Sequence, residues 1–99
     1  MKISKKESNG TSFHGHTIKA TKAQLMAIIG APQYVNPPLE KCQNDWILEN
    51  EHGRVFTIYD WKEYRAFGDD EVISWHIGAH RFTDSHIGHQ EIQQALVAV

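Results

Sequence analysis

Apolar and polar positions alternate most clearly in the middle of the chain. Residues 44–50 (NDWILEN) and 54–61 (RVFTIYDW) are rich in β-branched and aromatic side chains and flank Glu51-His52-Gly53, the pattern of a β-hairpin. In the second run Phe56 and Ile58 fall on one face, and Val55, Thr57, Tyr59 and Trp61 on the other. Large apolar groups on both faces predict helices against one and a loop, a ligand or another subunit against the other. Residues 72–77 (VISWHI) alternate again, with Ile73, Trp75 and Ile77 opposite Val72, Ser74 and His76. Residues 12–20 (SFHGHTIKA) read as a further strand, weakened by Gly15.

Two segments carry helical spacing. Thr21 and Gln24 form a capping box before the apolar stripe Leu25, Met26, Ile28 and Ile29, and Gly30 and Pro32 end that helix. Residues 31–43 contain three prolines and predict a fixed loop rather than a strand. Thr83, Asp84 or Ser85 caps a second helix whose apolar side holds Ile87, Ile92, Ala95, Leu96 and Val99. Gly88 costs that helix about 1 kcal/mol, which predicts a frayed first turn. The expected fold is α+β: a small antiparallel sheet of three or four strands with two helices on one face, in the order β-α-β-β-β-α. Residues 1–11 read as a mobile N-terminal arm and 12–99 as a single domain.

Composition narrows the function classes. A chain of 99 residues suits one domain and is too short for a kinase, a two-domain dehydrogenase or a TIM barrel. No apolar run approaches the roughly 20 residues of a membrane helix, and the charged start, Met1 to Gly10, is not that of a signal peptide. Cys42 is the single cysteine, so an internal disulfide and a multi-cysteine zinc cage are excluded and a cytoplasmic protein is expected. A formal charge of −2 argues against general nucleic-acid binding, although protonation of the seven histidines would turn the balance positive.

Candidate chemistry concentrates after the hairpin. Tyr59, Trp61, Lys62, Tyr64 and Arg65 lie close together, and Trp75, His76, His80 and Arg81 come from the next strand and its exit. Aromatic faces stack on bases while cations grip phosphate, so this set suits an anionic, ring-bearing ligand. The competing reading makes Trp61 and Trp75 core residues and leaves Lys62 and Arg65 to solvate an edge. The pairs His14/His16, His76/His80 and His86/His89 invite a metal, but none has a metalloprotease spacing, and no metal site is expected. Acid–base work would use His76 with Asp60, and Ser74 or Thr57 as nucleophile; no G-x-S-x-G elbow or Cys–His signature supports it. Cys42 has no activating partner in the sequence, and no phosphate-binding glycine loop is present, so no cofactor is expected.

Four stretches carry a family likeness. These are Leu25 to Pro32 (L-x-x-I-x-G-x-P), Trp46, Gly53 to Lys62 (GRVFTIYDWK) and Trp75 to Gly78 (WHIG). Together, over residues 18–80, they resemble a family of small bacteriophage proteins. The resemblance implies a phage setting, in which small proteins often counter host defences by binding; it supplies no catalytic residues. The expected function is therefore non-enzymatic: an anti-defence protein that sequesters a nucleotide-derived immune signal in the host cytoplasm. Tyr59, Trp61 and Trp75 would stack the base or ribose, and Lys62, Arg65, His76, His80 and Arg81 would meet phosphates. So small a monomer offers little concavity, so a homo-oligomer with the pocket between subunits is expected. The alternatives are a protein–protein inhibitor of a host defence enzyme and a small hydrolase of nucleotide signals. If His76 and His80 hold an anion, affinity should rise as pH drops through about 6.5.

Overall fold

Asn50 closes the central hairpin. Its side-chain oxygen accepts from the backbone N–H of His52 (2.9 Å) and of Arg54 (3.2 Å), and its own N–H reaches the Arg54 carbonyl at 2.9 Å. Gly53 completes the turn at φ 72°, a conformation glycine adopts without a steric penalty. The computed structural model describes residues 1–98. The chain runs β1 (Lys2–Ile3), β2 (Ser12–Thr21), α1 (Lys22–Ile29), β3 (Tyr34–Val35), β4 (Asn44–Glu49), β5 (Val55–Asp60), β6 (Val72–Ala79) and α2 (Phe82–Ala98).

All strand pairs are antiparallel, and the sheet order is β1-β4-β5-β6-β2, with β3 sharing the outer edge of β4 with β1. The hairpin pairs Asp45 with Tyr59 and Glu49 with Val55; β6 then pairs His76 with Tyr59 and Ala79 with Phe56. β2 closes the other edge, with a shift in register between Phe13 and Thr17 around Gly15, whose φ is 96°.

The α+β class holds, but the sheet has six strands rather than three or four, and the order of elements is β-β-α-β-β-β-β-α. Both additional strands lie on the outer edge of β4, whose backbone groups would otherwise be open to another chain. β1 comes from the segment read as an arm: Lys2 pairs with Glu49, Ile3 with Leu48, and Ser4 is buried with its N–H on the Ile47 carbonyl (2.9 Å). β3 comes from the proline-containing loop and pairs Tyr34 with Asp45 and Val35 with Asn44. Between them the Gln33 carboxamide acts as one more strand residue. Its Nε2 donates to the Ile47 carbonyl (2.7 Å) and its Oε1 accepts from the Ile47 N–H (3.0 Å).

The alternation leaves open which side of the sheet is covered, and the structure packs the helices on the Phe56 and Ile58 side. Trp46, Leu48, Phe56, Ile58, Ile73, Trp75 and Ile77 are buried in one core with Leu25 and Ile29 of α1 and Ile92 of α2. Trp46 and Trp75 meet edge to face, ring centres 5.4 Å apart. Each indole N–H is satisfied, by the Gly30 and Ala20 carbonyls respectively, both at 2.9 Å. The capping box of α1 forms, with the Gln24 N–H on the Thr21 hydroxyl at 3.0 Å and the Thr21 N–H on the Gln24 Oε1 at 2.8 Å. Gly88 is not a weak point of α2. It is buried where the helix crosses the sheet, and a Cβ there would stand 2.6 Å from the Phe56 ring. Val99, placed on the apolar side of this helix from the sequence, lies outside the described residues. No helix among the described residues is long and apolar enough to cross a membrane.

Candidate functional site

The face of the sheet turned away from the helices carries Asp45 from β4, Thr57 and Tyr59 from β5, and His76 and Gly78 from β6, with Phe13 from β2. Trp61 follows β5 and continues that face. Because Gly78 has no side chain, a hollow of about 220 Å³ opens between these strands and the segment Ser8–Ser12. A Cβ at Gly78 would come within 2.7 Å of the Thr57 hydroxyl and 3.4 Å of the Tyr59 ring, so the space depends on glycine.

Tyr59 and Trp61 line this hollow with their rings nearly perpendicular, 6.0 Å apart. His76 packs against both, at 5.6 and 6.3 Å, and is itself stacked by Phe13 at 4.2 Å. Burial among these rings lowers the pKa of His76, which keeps the imidazole neutral at pH 7. Lys62 stands over the Trp61 ring, 5.5 Å from its centre. Lys62 and Tyr64 both hold positive φ, 54° and 53°, uncommon for residues with a side chain and concentrated here beside the aromatic rim.

The floor is acidic. Asp45 Oδ1 is shut off from solvent and has no hydrogen-bond partner among the described residues. Burial, reinforced by the neighbouring Asp60 charge, pushes the Asp45 carboxyl up to about 6. Burial and the Asp45 and Asp60 charges push the Cys42 thiol up to about 12, and its sulfur donates to the Asn44 carbonyl at 3.4 Å. Such a thiol is held protonated and is a poor nucleophile. Burial likewise raises Tyr59, followed by the Cys42 and Asp45 charges.

The structure brings together Tyr59, Trp61, Lys62 and His76 of the residues singled out in the sequence. Trp75 lies on the opposite face, fully buried in the core with its N–H on Ala20, so it cannot stack a ligand beside Tyr59. Arg65 is engaged by Glu71 through two hydrogen bonds and approaches Glu63 at 3.8 Å, which neutralises its charge locally and holds its pKa high. His80 and Arg81 follow Ala79, which pairs with Phe56, whereas Trp61 and Lys62 follow Asp60, which pairs with Trp75. Four residues of strand, roughly 13 Å, therefore separate the two ends. Asp60 is no partner for His76. It faces the covered side and accepts from the backbone N–H groups of Gln43 and Asn44 at 2.6–3.0 Å, fixing the start of β4.

Asp45, Gly78 and Phe13 escaped the sequence reading of the site, and Thr57 entered it only as a candidate nucleophile. The first could have been found: pairing the hairpin symmetrically about its turn sets Asp45 opposite Tyr59. Phe13 could not, because the irregularity at Gly15 changes the register of β2.

Four histidines gather elsewhere. His16 lies 5.7 Å from His86 and 5.5 Å from His89, ring centre to centre, at the contact of β2 with α2. His14, two residues earlier, contributes its charge to the same group. Burial, then His89, His86 and His14, holds the His16 pKa down. No group of three or more His, Cys, Asp or Glu among the described residues is placed to hold a metal ion. The rings are committed otherwise: His16 Nδ1 to the Ser85 hydroxyl (2.7 Å), His14 Nε2 to the Ala79 carbonyl (2.9 Å), His89 Nε2 to the Thr17 carbonyl (3.0 Å). A wider, open groove of about 750 Å³ runs between β2 and the end of α2, but among the described residues that line it Lys19 is the one with a charge, and convergent chemistry is lacking among them.

Fold and site together define an α+β protein with one covered sheet face and, on the other, an aromatic-walled hollow over a buried carboxylate. Compared with family models, curated proteins and solved structures, the chain matches none.

Proposed function

We propose that this protein is a non-catalytic binding module that holds the base of a nucleotide-derived small molecule on its open sheet face. The observation that carries this reading is the Gly78 hollow walled by Tyr59 and Trp61, two rings a flat heterocycle can stack on or pack against. Its volume of about 220 Å³ lies below the roughly 300–1,000 Å³ of sites that engulf a drug-sized ligand. It suits one ring system, with sugar and phosphate outside. Lys62 is the cation nearest the aromatic rim, so phosphate contact is lighter than a cluster of five cations would give. The likeness of the IYDWK and WHIG stretches to small bacteriophage proteins supports sequestration of a nucleotide immune signal as the biological use, with a second copy closing over the open face.

Calorimetric titration with mononucleotides and cyclic dinucleotides tests the reading. Trp61→Ala should weaken binding by the value of one base stack, roughly 1–3 kcal/mol. Intact nucleotide should be recovered after the complex is denatured; turnover would make the protein a hydrolase instead. A second reading draws on Phe13, Trp61 and Tyr64, which are 45%, 40% and 47% exposed. Aromatics of this kind are hot spots of protein contacts, as in an inhibitor of a host defence enzyme. If no nucleotide alters Trp61 fluorescence, that reading takes precedence.

A further inference from the structure

Thr57 lies in the middle of β5, and its cross-strand neighbour on β6 is Gly78. A side chain at position 78 would cover the Thr57 hydroxyl, since a Cβ there would stand 2.7 Å from it. Glycine leaves that hydroxyl facing the hollow, which Thr57 lines. The residue is 4% exposed, yet its hydroxyl has no hydrogen-bond partner among the described residues and, unlike Asp45 Oδ1, is not shut off from solvent. Two hydroxyls beside it are engaged: Thr11 donates to the Ser8 carbonyl at 2.7 Å, and the Ser12 oxygen lies 3.5 Å from His14 Nε2. A buried hydroxyl left unpaired is costly, and few occur in folded proteins. The partner that Thr57 lacks is one that a ligand in the hollow can bring.

We propose that the Thr57 hydroxyl is the inner hydrogen-bonding contact of the bound base, on the floor of the hollow that Tyr59 and Trp61 wall. A hydroxyl both donates and accepts, so it meets a ring carbonyl, a ring nitrogen or an amino group alike. Thr57 therefore adds affinity without choosing among bases, and the hollow sorts ligands by how a flat ring fits over Gly78. The Asp45 and Asp60 charges that push up the Cys42 thiol repel phosphate from this end, so the base enters and the phosphate stays outside. This inference rests on the nucleotide-binding reading above.

Two substitutions separate this role from a structural one. Valine has the shape of threonine without the hydroxyl and suits a strand. Thr57→Val removes no hydrogen bond within the protein, so it should melt no lower than the wild type. Thr57→Ser keeps the hydroxyl.

The test is calorimetric titration of the full chain at pH 7.5 with the 5′-monophosphates of adenosine, guanosine, cytidine and uridine, for the wild type and both variants, each checked by thermal melting. Thr57→Val should weaken every mononucleotide that the wild type binds by the worth of one neutral hydrogen bond, roughly 2- to 12-fold, and Thr57→Ser should restore most of that loss. Wild-type affinity in Thr57→Val, or a loss confined to one base, overturns the role of Thr57 and leaves the binding module standing. So does a melting temperature that falls in Thr57→Val and recovers in Thr57→Ser, which makes the hydroxyl structural. Failure of all four ligands to bind the wild type overturns both.

Discussion

Gly88 shows how much one missing Cβ decides. Alanine there would gain about 1 kcal/mol of helix propensity. It would also drive a methyl group to 2.6–2.9 Å from three atoms of the Phe56 ring, in a core with no slack. Overpacking of this kind costs about 1–3 kcal/mol, so the loss outweighs the gain. Gly88→Ala should lower the melting temperature despite its better helix former, and pairing it with Phe56→Leu should recover most of the loss. If the single variant melts higher than the wild type, the close approach of α2 to β5 is wrong. Gly78 plays the corresponding part on the other face, where its missing side chain opens the hollow. Helix and strand propensities give no sign of either demand, because both come from a neighbour distant in sequence.

The outer edge of β4 is protected by pieces that are barely elements themselves. β1 and β3 have two residues each, and a single glutamine side chain bridges the gap at Ile47. Gln33→Ala should leave the Ile47 N–H without that partner, at a cost of about 1–3 kcal/mol. Amide exchange at Ile47 checks it, and should accelerate more than exchange at Ile58 in the centre of the sheet. Unchanged protection at Ile47 would show that water replaces Gln33 freely. These segments were invisible to periodicity, since two residues cannot display an alternation. The long strands and both helices were legible, because each buries one face against a common core and must repeat its apolar positions to do so.

Across the whole molecule, two groups oppose each other as pH falls. Burial and the neighbouring histidines depress the His16 pKa, so the folded state binds fewer protons than the unfolded one; stability present above pH 6.5 is lost on acidification. Asp45 runs the other way. Its carboxyl, raised from 3.8 to about 6, binds a proton more readily when folded, so stability rises as pH falls from above 6 toward 4. Melting curves from pH 7.5 to 4 separate them. Relative to the wild type, His16→Asn should gain stability as pH falls through 6. Asp45→Asn should be the more stable protein at pH 7.5 and lose that advantage toward pH 4. Parallel curves for all three proteins would remove both assignments. By itself, the sequence determined the α+β class, the central hairpin, the first helix with its capping box, the presence of a second helix, which starts at Phe82 rather than being capped by Thr83, Asp84 or Ser85, and which residues share a face on the central strands. Those follow from local spacing, because a regular element repeats its apolar positions along one face. Only the tertiary structure decided the strand count, which sheet face is covered, the surroundings of Asp45, the gathering of His14, His16, His86 and His89, the removal of Trp75 from the open face and the pairing of Arg65 with Glu71. All but the last depend on a contact between segments far apart in the chain, where burial is set by what the fold brings alongside.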